Sequence, residues 1–390
     1  MPKAAQLPAE PPHVLVFPSW YPSAYRPSEG IFIREQLRHL SSQARLGVIY
    51  PELRSLKSLR LAELKKRHFQ ASYTLESGLP TYRRHGWNVP FSRLQAELYV
   101  RPALELLRPY LKAQGVPDLI HAHACFWGAL AAARAAERCE RPFVVTVHWN
   151  GFIDNELDGF QRKVAAQVLP QAERVVCVSA ALATSLKPYT GDNLEVIPNP
   201  IDTAFFTLPP ARDEAGPFRI VSVANLVAVK RLDALIRAFA SAFPAGSEEL
   251  CIGGEGPERP RLETLITDLN LKSRVKLLGA LDKSGVRDLL WRADLFVSAS
   301  QTETFGMALA EALAAGVPVV ATRSGGPEVI VQPDCGLLTG HSVDALSGAL
   351  LEARARPFAP PAELRRSVDM RYSASVIAKR LLSLYDQVRR

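Results

Sequence analysis

The sequence predicts an α/β protein of two doubly wound, Rossmann-like domains, and three features carry that expectation. Short apolar runs alternate with stretches of helical period from one end to the other. The runs are apolar at consecutive positions, as strands covered by helices on both faces must be. An interruption rich in proline and charge, IPNPIDTAFFTLPPARDEAGPF (197–218), lacks helical period and separates one strand–helix series from the next. At 390 residues the chain is also longer than one core ordinarily organises.

In the first series, strands are expected at HVLVF (13–17), RLGVIY (45–50), DLIHAH (118–123), FVVTVH (143–148) and RVVCVS (174–179). The second series has FRIVSVANL (218–226), ELCIGG (249–254), VKLLG (275–279), DLFVSAS (294–300) and VPVVAT (317–322). Between them IFIREQLRHL, WGALAAARAAERC, LDALIRAFASAF and MALAEALAAG carry apolar residues at helical spacing. The expected division is residues 1–200 for an N-terminal Rossmann-like domain and 201–370 for a C-terminal one. A closing helix in 371–390, centred on ASVIAKRLLSLYDQV, is expected to cross back to the first domain. Ligands of open α/β sheets bind beyond the carboxyl ends of the strands, so a cleft between the two domains is the expected site.

Composition narrows the class. A hydrophobic fraction of 47% and a charged fraction of 22% are those of a water-soluble globular chain. No run reaches the roughly 18 apolar residues of a membrane-spanning helix, and the opening MPKAAQLPAEPPHVLVF has no long apolar core of a signal peptide. The five cysteines are scattered without a C-x-x-C pair, which favours buried free thiols in a reducing compartment. A cytoplasmic protein is expected. The net charge of +8 lies mostly in the first 200 residues, with 24 basic against 17 acidic side chains. That excess suits an anionic membrane surface or a nucleic acid, and solubility alone explains it as well. LRSLKSLRLAELKKRHF (53–69) concentrates the basic charge among leucines. It reads either as a basic amphipathic helix on an anionic membrane or as a helix with one core face and one solvated face.

The densest chemical signal is SASQTETFGMALAEALAAGVPVVAT (298–322). A strand ends near Ser300 and a helix is expected from about Phe305, so Glu303 falls at the carboxyl edge of a sheet. Glu311 follows about two turns up that helix, where both carboxylates can face one cleft. The amides of Thr304, Phe305, Gly306 and Met307 are then the unpaired donors of a helix N-terminus, which suits a diphosphate, and Gly306 permits close approach. The plainer reading is a dipole-favouring glutamate followed by a surface glutamate. Lys230 follows a strand and a short loop, within reach of the same edge. GGEGPE (253–258) offers G-x-G after a strand, but Arg259 and Pro260 stand where a dinucleotide fingerprint needs glycine. His148 ends a strand; His121 and His123 end another. With no carboxylate at useful spacing and no D-x-D, the histidines do not make a metal site, and none is expected.

The run E-T-F-G-M-A-L-A-E resembles the E-x7-E signature of the retaining glycosyltransferases of family 4, and other segments match in order. FPSWYPSAYRPSEGIFIREQ (17–36), DLIHAH, VVTVHWNGF, RVVCVSAALATSL, VIPNPIDTAFF, VANLVAVKRLDALIRAF and IGGEGPERPRLETLI resemble the family's successive segments, so the likeness spans about residues 13–388. It implies the GT-B fold, two Rossmann-like domains facing each other across a cleft, with residues 1–200 binding the acceptor and 201–370 the nucleotide sugar. It also implies a metal-independent, retaining hexosyltransferase-type enzyme needing no cofactor, whose donor is a UDP-, GDP- or ADP-sugar. By the same resemblance Lys230 holds the donor diphosphate, Glu303 and His148 face the transferred sugar, Glu311 takes the ribose diol and Gly30 lets the donor approach. An arginine often stands where this chain has Asn225; Arg231 is the available substitute for its charge.

The acceptor is expected to be a glycan, a lipid-linked glycan or a small metabolite in polysaccharide or glycoconjugate biosynthesis. The enzyme would be cytoplasmic, peripheral on the inner face of the plasma membrane, with no nucleic acid as partner. A sugar-nucleotide epimerase or NAD-dependent dehydrogenase of similar plan, and a non-catalytic binding protein with this fold, are the competing readings. The failed dinucleotide fingerprint weighs against the dehydrogenase, and the retained Glu303, Glu311 and Lys230 weigh against loss of catalysis.

Overall fold

The structure is a computed structural model and describes residues 10–27, 29–55, 70–89, 91–210 and 216–389. The chain divides into two compact units. The first comprises residues up to Val178, Ala183–Ile197 and Ala378–Arg390; the second comprises Ser179–Leu182 and Pro198–Ile377.

Among the described residues, the first unit has eight strands: β1 (His13–Pro18), β2 (Arg45–Ser55), β3 (Ala71–Glu76), β4 (Leu79–Asn88), β5 (Leu119–His123), β6 (Phe143–Val147), β7 (Arg174–Cys177) and β8 (Leu194–Val196). Their order across the sheet is β3-β4-β2-β1-β5-β6-β7-β8, parallel throughout except for the β3–β4 pair. The central strands β1, β5 and β6 are buried at every position, which is why their sequences are continuous apolar runs. The antiparallel hairpin is absent from the sequence-based expectation. Its strands are largely polar, and its only local mark is the turn at Ser77 (φ 52°) and Gly78 (φ 82°), both left-handed as a two-residue hairpin requires.

Of the 53–69 segment, Leu53–Ser55 belong to β2 rather than to a helix, paired in parallel with Gly86–Asn88 of β4. Ladder pairing sets their conformation, overriding the helical spacing of the leucines. Residues 56–69 lie outside the described residues.

The second unit has six strands: β9 (Arg219–Val223), β10 (Glu249–Gly253), β11 (Val275–Leu277), β12 (Leu295–Ser298), β13 (Val319–Thr322) and β14 (Gly336–Thr339). Their order is β11-β10-β9-β12-β13-β14, all parallel, the strand order of a complete dinucleotide-type Rossmann sheet. One core joins the sheet to its helices: Ile220, Leu250, Leu295 and Val320 meet Leu235, Phe239 and Leu350, all fully buried. The order reverses between β9 and β12, so the loops leaving these neighbours diverge and open a crevice at their carboxyl ends. In the first unit the corresponding reversal lies between β1 and β5.

The last helix, Ala374–Val388, begins in the second unit and ends in the first. There Leu381, Leu384 and Tyr385 are buried. All five cysteines are free thiols, four of them buried and Cys139 partly so. Among the described residues, no helix is long and apolar enough to cross a membrane.

Candidate functional site

The second unit gathers its polar groups at the β9/β12 switch point. After β9 the chain makes a single 3-10 turn, Ala228–Lys230, before Leu232 starts the next helix. Arg231 links the two in the left-handed conformation (φ 48°). After β12 the chain runs through Ser300 and Gln301, and the Gln301 amide donates to the Val229 carbonyl at 2.7 Å, tying the two loops together. Lys230 Nζ consequently stands 2.5 Å from Glu303 Oε1, and the Ser300 hydroxyl donates to the same oxygen at 2.8 Å. Both charged side chains are about one-fifth exposed, so the pair is only partly desolvated and remains open to a ligand.

A third loop completes this edge. Ser324, Gly325 and Gly326 follow β13, and backbone hydrogen bonds run from Glu303 N to Ser324 O and from Gly326 N to Glu303 O, both 2.9 Å. A Cβ on Gly326 would sit 2.4 Å from the Phe305 carbonyl oxygen, so only glycine lets these segments touch. Gly325 adopts φ 106°, and its amide donates to Glu328 at 2.8 Å. Sequence reasoning missed Ser300, Ser324, Gly325 and Gly326; the readable signal was a glycine pair two residues after the strand VPVVAT.

The expected helix start at Phe305 is corrected. The helix is Met307–Ala314, because Gly306 takes φ 97° and breaks the helical path just before it. Phe305 is buried against the Tyr372 ring, with centroids 5.3 Å apart. Thr304 and Phe305 therefore belong to the preceding turn, and the helix N-terminus begins at Met307. Glu311 lies on this helix, partly buried, with Lys283 and Asp202 acting on it; Lys283 Nζ itself bonds Asp202 at 2.6 Å. Loss of solvent pushes the Glu311 carboxyl up to about 7; Lys283 opposes that rise and Asp202 adds to it.

Asn225 is exposed at the end of β9, and its carbonyl accepts from the Val227 amide. Arg231 reaches Gln301 Oε1 at 3.4 Å and lies 3.9 Å from Asp233, so its charge is already shared. The GGEG loop has a packing explanation. A Cβ on Gly254 would stand 1.8 Å from the Ala224 carbonyl, and one on Gly256 2.4 Å from that of Leu226. These glycines let the β10 loop lie directly on the β9 loop, beside Asn225.

In the first unit the switch point carries the histidines. Ser19 follows β1; its amide donates to His123 O and its hydroxyl accepts from the Gly128 amide. Gly30 takes φ 66°, and a Cβ there would stand 2.4 Å from the Trp20 carbonyl, so the glycine closes the loop before the helix Ile31–Leu40. His148 follows β6, 8% exposed, with its ring stacked on His123 (centroids 5.4 Å, 8° between planes) and edge-on to Phe32. His148 Nε2 and His123 Nδ1 share a hydrogen bond of 3.1 Å. His121 is held by the Tyr385 hydroxyl and by Thr146, each at 2.7 Å. Burial, with His148 adding to it, lowers the His121 pKa to about 3, and burial drives His123 far below the usual histidine range. His148 thus rests on neutral imidazoles, and both ring nitrogens of His121 are already engaged.

Comparison with known proteins places this geometry. The family model "Glycosyltransferase Family 4" matches residues 33–205, and "Glycosyl transferases group 1" matches 209–367. The chain is 31% identical over 306 residues to a human protein named as one subunit of phosphatidylinositol N-acetylglucosaminyltransferase. That match covers 73% of this chain and 60% of the human one, so this chain spans under two thirds of that relative's length. It is 28% identical over 397 residues to the putative teichuronic acid biosynthesis glycosyltransferase TuaC of Bacillus subtilis, covering 96% and 98%. Anabaena HepE, in a crystal structure with UDP and glucose, superposes with a TM-score of 0.73 at 20% identity, over 96% of this chain and all of that one. The fold is GT-B, of two Rossmann-like units. With both halves matched in order along nearly the whole chain, the protein belongs to the family 4 glycosyltransferases, with a glycosyl transferases group 1 C-terminal half.

Proposed function

We propose that the protein is a retaining, metal-independent glycosyltransferase that takes its sugar from a nucleoside-diphosphate donor held by the second unit. The observation that carries this reading is the 2.5 Å contact of Lys230 with Glu303 at the β9/β12 switch point. A cation there is what two phosphate groups need as the glycosidic bond breaks and their charge grows. In this reading Lys230 leaves Glu303 for the diphosphate, and the amides of Thr304, Phe305, Gly306 and Met307 add donors. Glu311 accepts from the ribose hydroxyls, and Glu303 engages the sugar. Asn225 and Arg231 border the phosphates. His148, with Gly30 shaping the loop before the first helix, serves the sugar from the first unit, which also takes the acceptor.

The acceptor hydroxyl attacks the anomeric carbon on the face that the diphosphate leaves. The carbon–phosphate-oxygen bond breaks, the new glycosidic bond forms, and the hydroxyl proton passes to the departing phosphate. Human and Bacillus relatives named for phosphatidylinositol and teichuronic acid chemistry support a glycan or lipid-linked acceptor in glycoconjugate assembly. The free, scattered thiols suit a reducing, cytoplasmic setting, and a lipid-linked acceptor would bring the enzyme to a membrane surface. A UDP complex of a protein with the same fold supports UDP as the first donor nucleotide to test.

The test is calorimetric titration with UDP, GDP and ADP, followed by transfer assays with the matching sugar nucleotide in EDTA. One nucleoside diphosphate is expected to bind, with Lys230→Ala weakening it by about 10- to 100-fold, the value of a charged hydrogen bond. Glu303→Gln is expected to abolish transfer while preserving nucleotide binding, and proton NMR to give a product with the donor's anomeric configuration. Inversion, a metal requirement, or a fully active Glu303→Gln enzyme overturns the corresponding part of the proposal.

A further inference from the structure

The first unit holds a cluster of charge that the transfer chemistry above does not use. Glu52 and Arg54 on β2, Arg83 and His85 on β4, and Ser72, Thr74 and Glu76 on β3 all lie on one face of the sheet. Register makes this so: Glu52 pairs with His85, Ser72 pairs with Arg83, and positions two apart share a face. The loop Pro22–Pro27 and Arg34 of the first helix border the same face, enclosing a cavity of about 460 Å³. Among the described residues, three arginines and two glutamates line it, beside His85.

The guanidinium groups are held in place. Arg83 makes a two-pronged contact to Glu76, with Nε to Oε1 and Nη2 to Oε2 both 2.6 Å, and Nη2 also donates to the Pro22 carbonyl at 2.6 Å. Arg54 lies 3.7 Å over the Tyr25 ring, donates to Glu52 at 3.1 Å and meets His85 Nδ1 at 2.7 Å. Yet the set is incomplete. Arg83 is 7% exposed, and its Nη1 has no hydrogen-bond partner among the described residues, with Glu52 Oε2 3.5 Å away. The buried Nε of Arg34 likewise has none. A buried donor left unpaired is costly, a ligand oxygen would complete it, and both arginines line this cavity. Burial works against the Glu76 carboxylate, but Arg83 outweighs it and holds the group below its ordinary range, so the clamp stays ionised near neutrality.

We propose that this cavity is an oxyanion site that binds a phosphate or carboxylate group of the acceptor, through Arg83 Nη1 and Arg34. A planar guanidinium suits either oxyanion, and the cavity is much larger than the anion alone, leaving room for the molecule that carries it. Describing that molecule as the acceptor rests on the transferase reading; the anion site itself does not.

Inorganic phosphate and malonate are titrated separately into the full-length protein, with sodium chloride at matched ionic strength as control. Saturable binding of at least one is expected, and the stronger arm identifies phosphate or carboxylate as the group. Arg83→Gln is expected to raise the dissociation constant about tenfold or more, and Arg34→Gln by a smaller factor, with UDP binding unchanged in both. Where Arg83→Gln fails to fold because Glu76 is left unpaired, the double variant Arg83→Gln/Glu76→Gln removes both charges and is expected to lose the anion equally. Phosphate and malonate effects no greater than chloride, or equal in wild type and folded variants, overturn the site. Loss of UDP binding by the wild type would instead strike the transferase reading and leave an anion site standing.

Discussion

Glu311 is the residue whose chemistry depends most on where the fold puts it. In the sequence it is one more glutamate on an alanine-rich helix; in the structure its carboxyl titrates at about 7 because burial disfavours the charge. The folded state therefore keeps a proton that the unfolded chain, with a carboxyl near 4.5, has lost. The stabilisation this brings is full below about pH 4.5 and is lost as pH rises through about 7. Relative to Glu311→Gln, the wild type is accordingly expected to lose stability between about pH 4.5 and 7, as read by denaturant midpoints across that range. If the ionised carboxylate receives the ribose diol, UDP affinity should rise with pH with a midpoint near 7, and the Gln variant should show no such rise. A flat wild-type profile would remove Glu311 from the ribose.

At the level of elements, the loops at the carboxyl ends of β9, β12 and β13 are joined through backbone contacts, and the contact between the last two needs the glycine at 326. Gly326 has an ordinary φ of −73°, so alanine meets no backbone strain there. The whole cost of Gly326→Ala comes from its Cβ pressing on the Phe305 carbonyl, 2.4 Å away. Such overpacking is expected to destabilise by about 1–3 kcal/mol. Because the displaced segment carries Glu303, transfer activity should fall further than stability does. Thermal unfolding compared with initial rates below the transition separates the two effects. Gly256→Ala, whose Cβ meets the Leu226 carbonyl at 2.4 Å, is expected to lose comparable stability.

For the molecule as a whole, the closing helix has a role that its local sequence does not show. Tyr385 is fully buried in the first unit and its hydroxyl meets His121 at 2.7 Å. Tyr385→Phe leaves a buried ring nitrogen without that partner and is expected to cost about 1–3 kcal/mol. Chemical denaturation measures it, and UDP binding by the second unit should be unaffected. Saturating UDP should itself stabilise the protein, by about 2.7 kcal/mol at a hundred times its dissociation constant.

The sequence by itself determined the layered α/β plan, the order of the central strands along the chain and the glycosyltransferase likeness. Continuous apolar runs such as HVLVF and FVVTV can be little else than strands buried on both faces, and the helix Ala374–Val388 carries its own period. Local pattern sufficed there because burial alone dictated it. Lys230 and Glu303 were legible as candidates because each follows a strand. Their meeting was decided by strand order, since β9 and β12 are neighbours in the sheet although 71 residues separate Val223 from Leu295 in no readable pattern. The same holds for the Gly325–Gly326 loop on Glu303, for the polar β3–β4 hairpin and for the arginine cluster it frames. These features rest on register, on close backbone approach and on charge pairing between distant strands, and long-range pairing leaves no periodic trace in the chain.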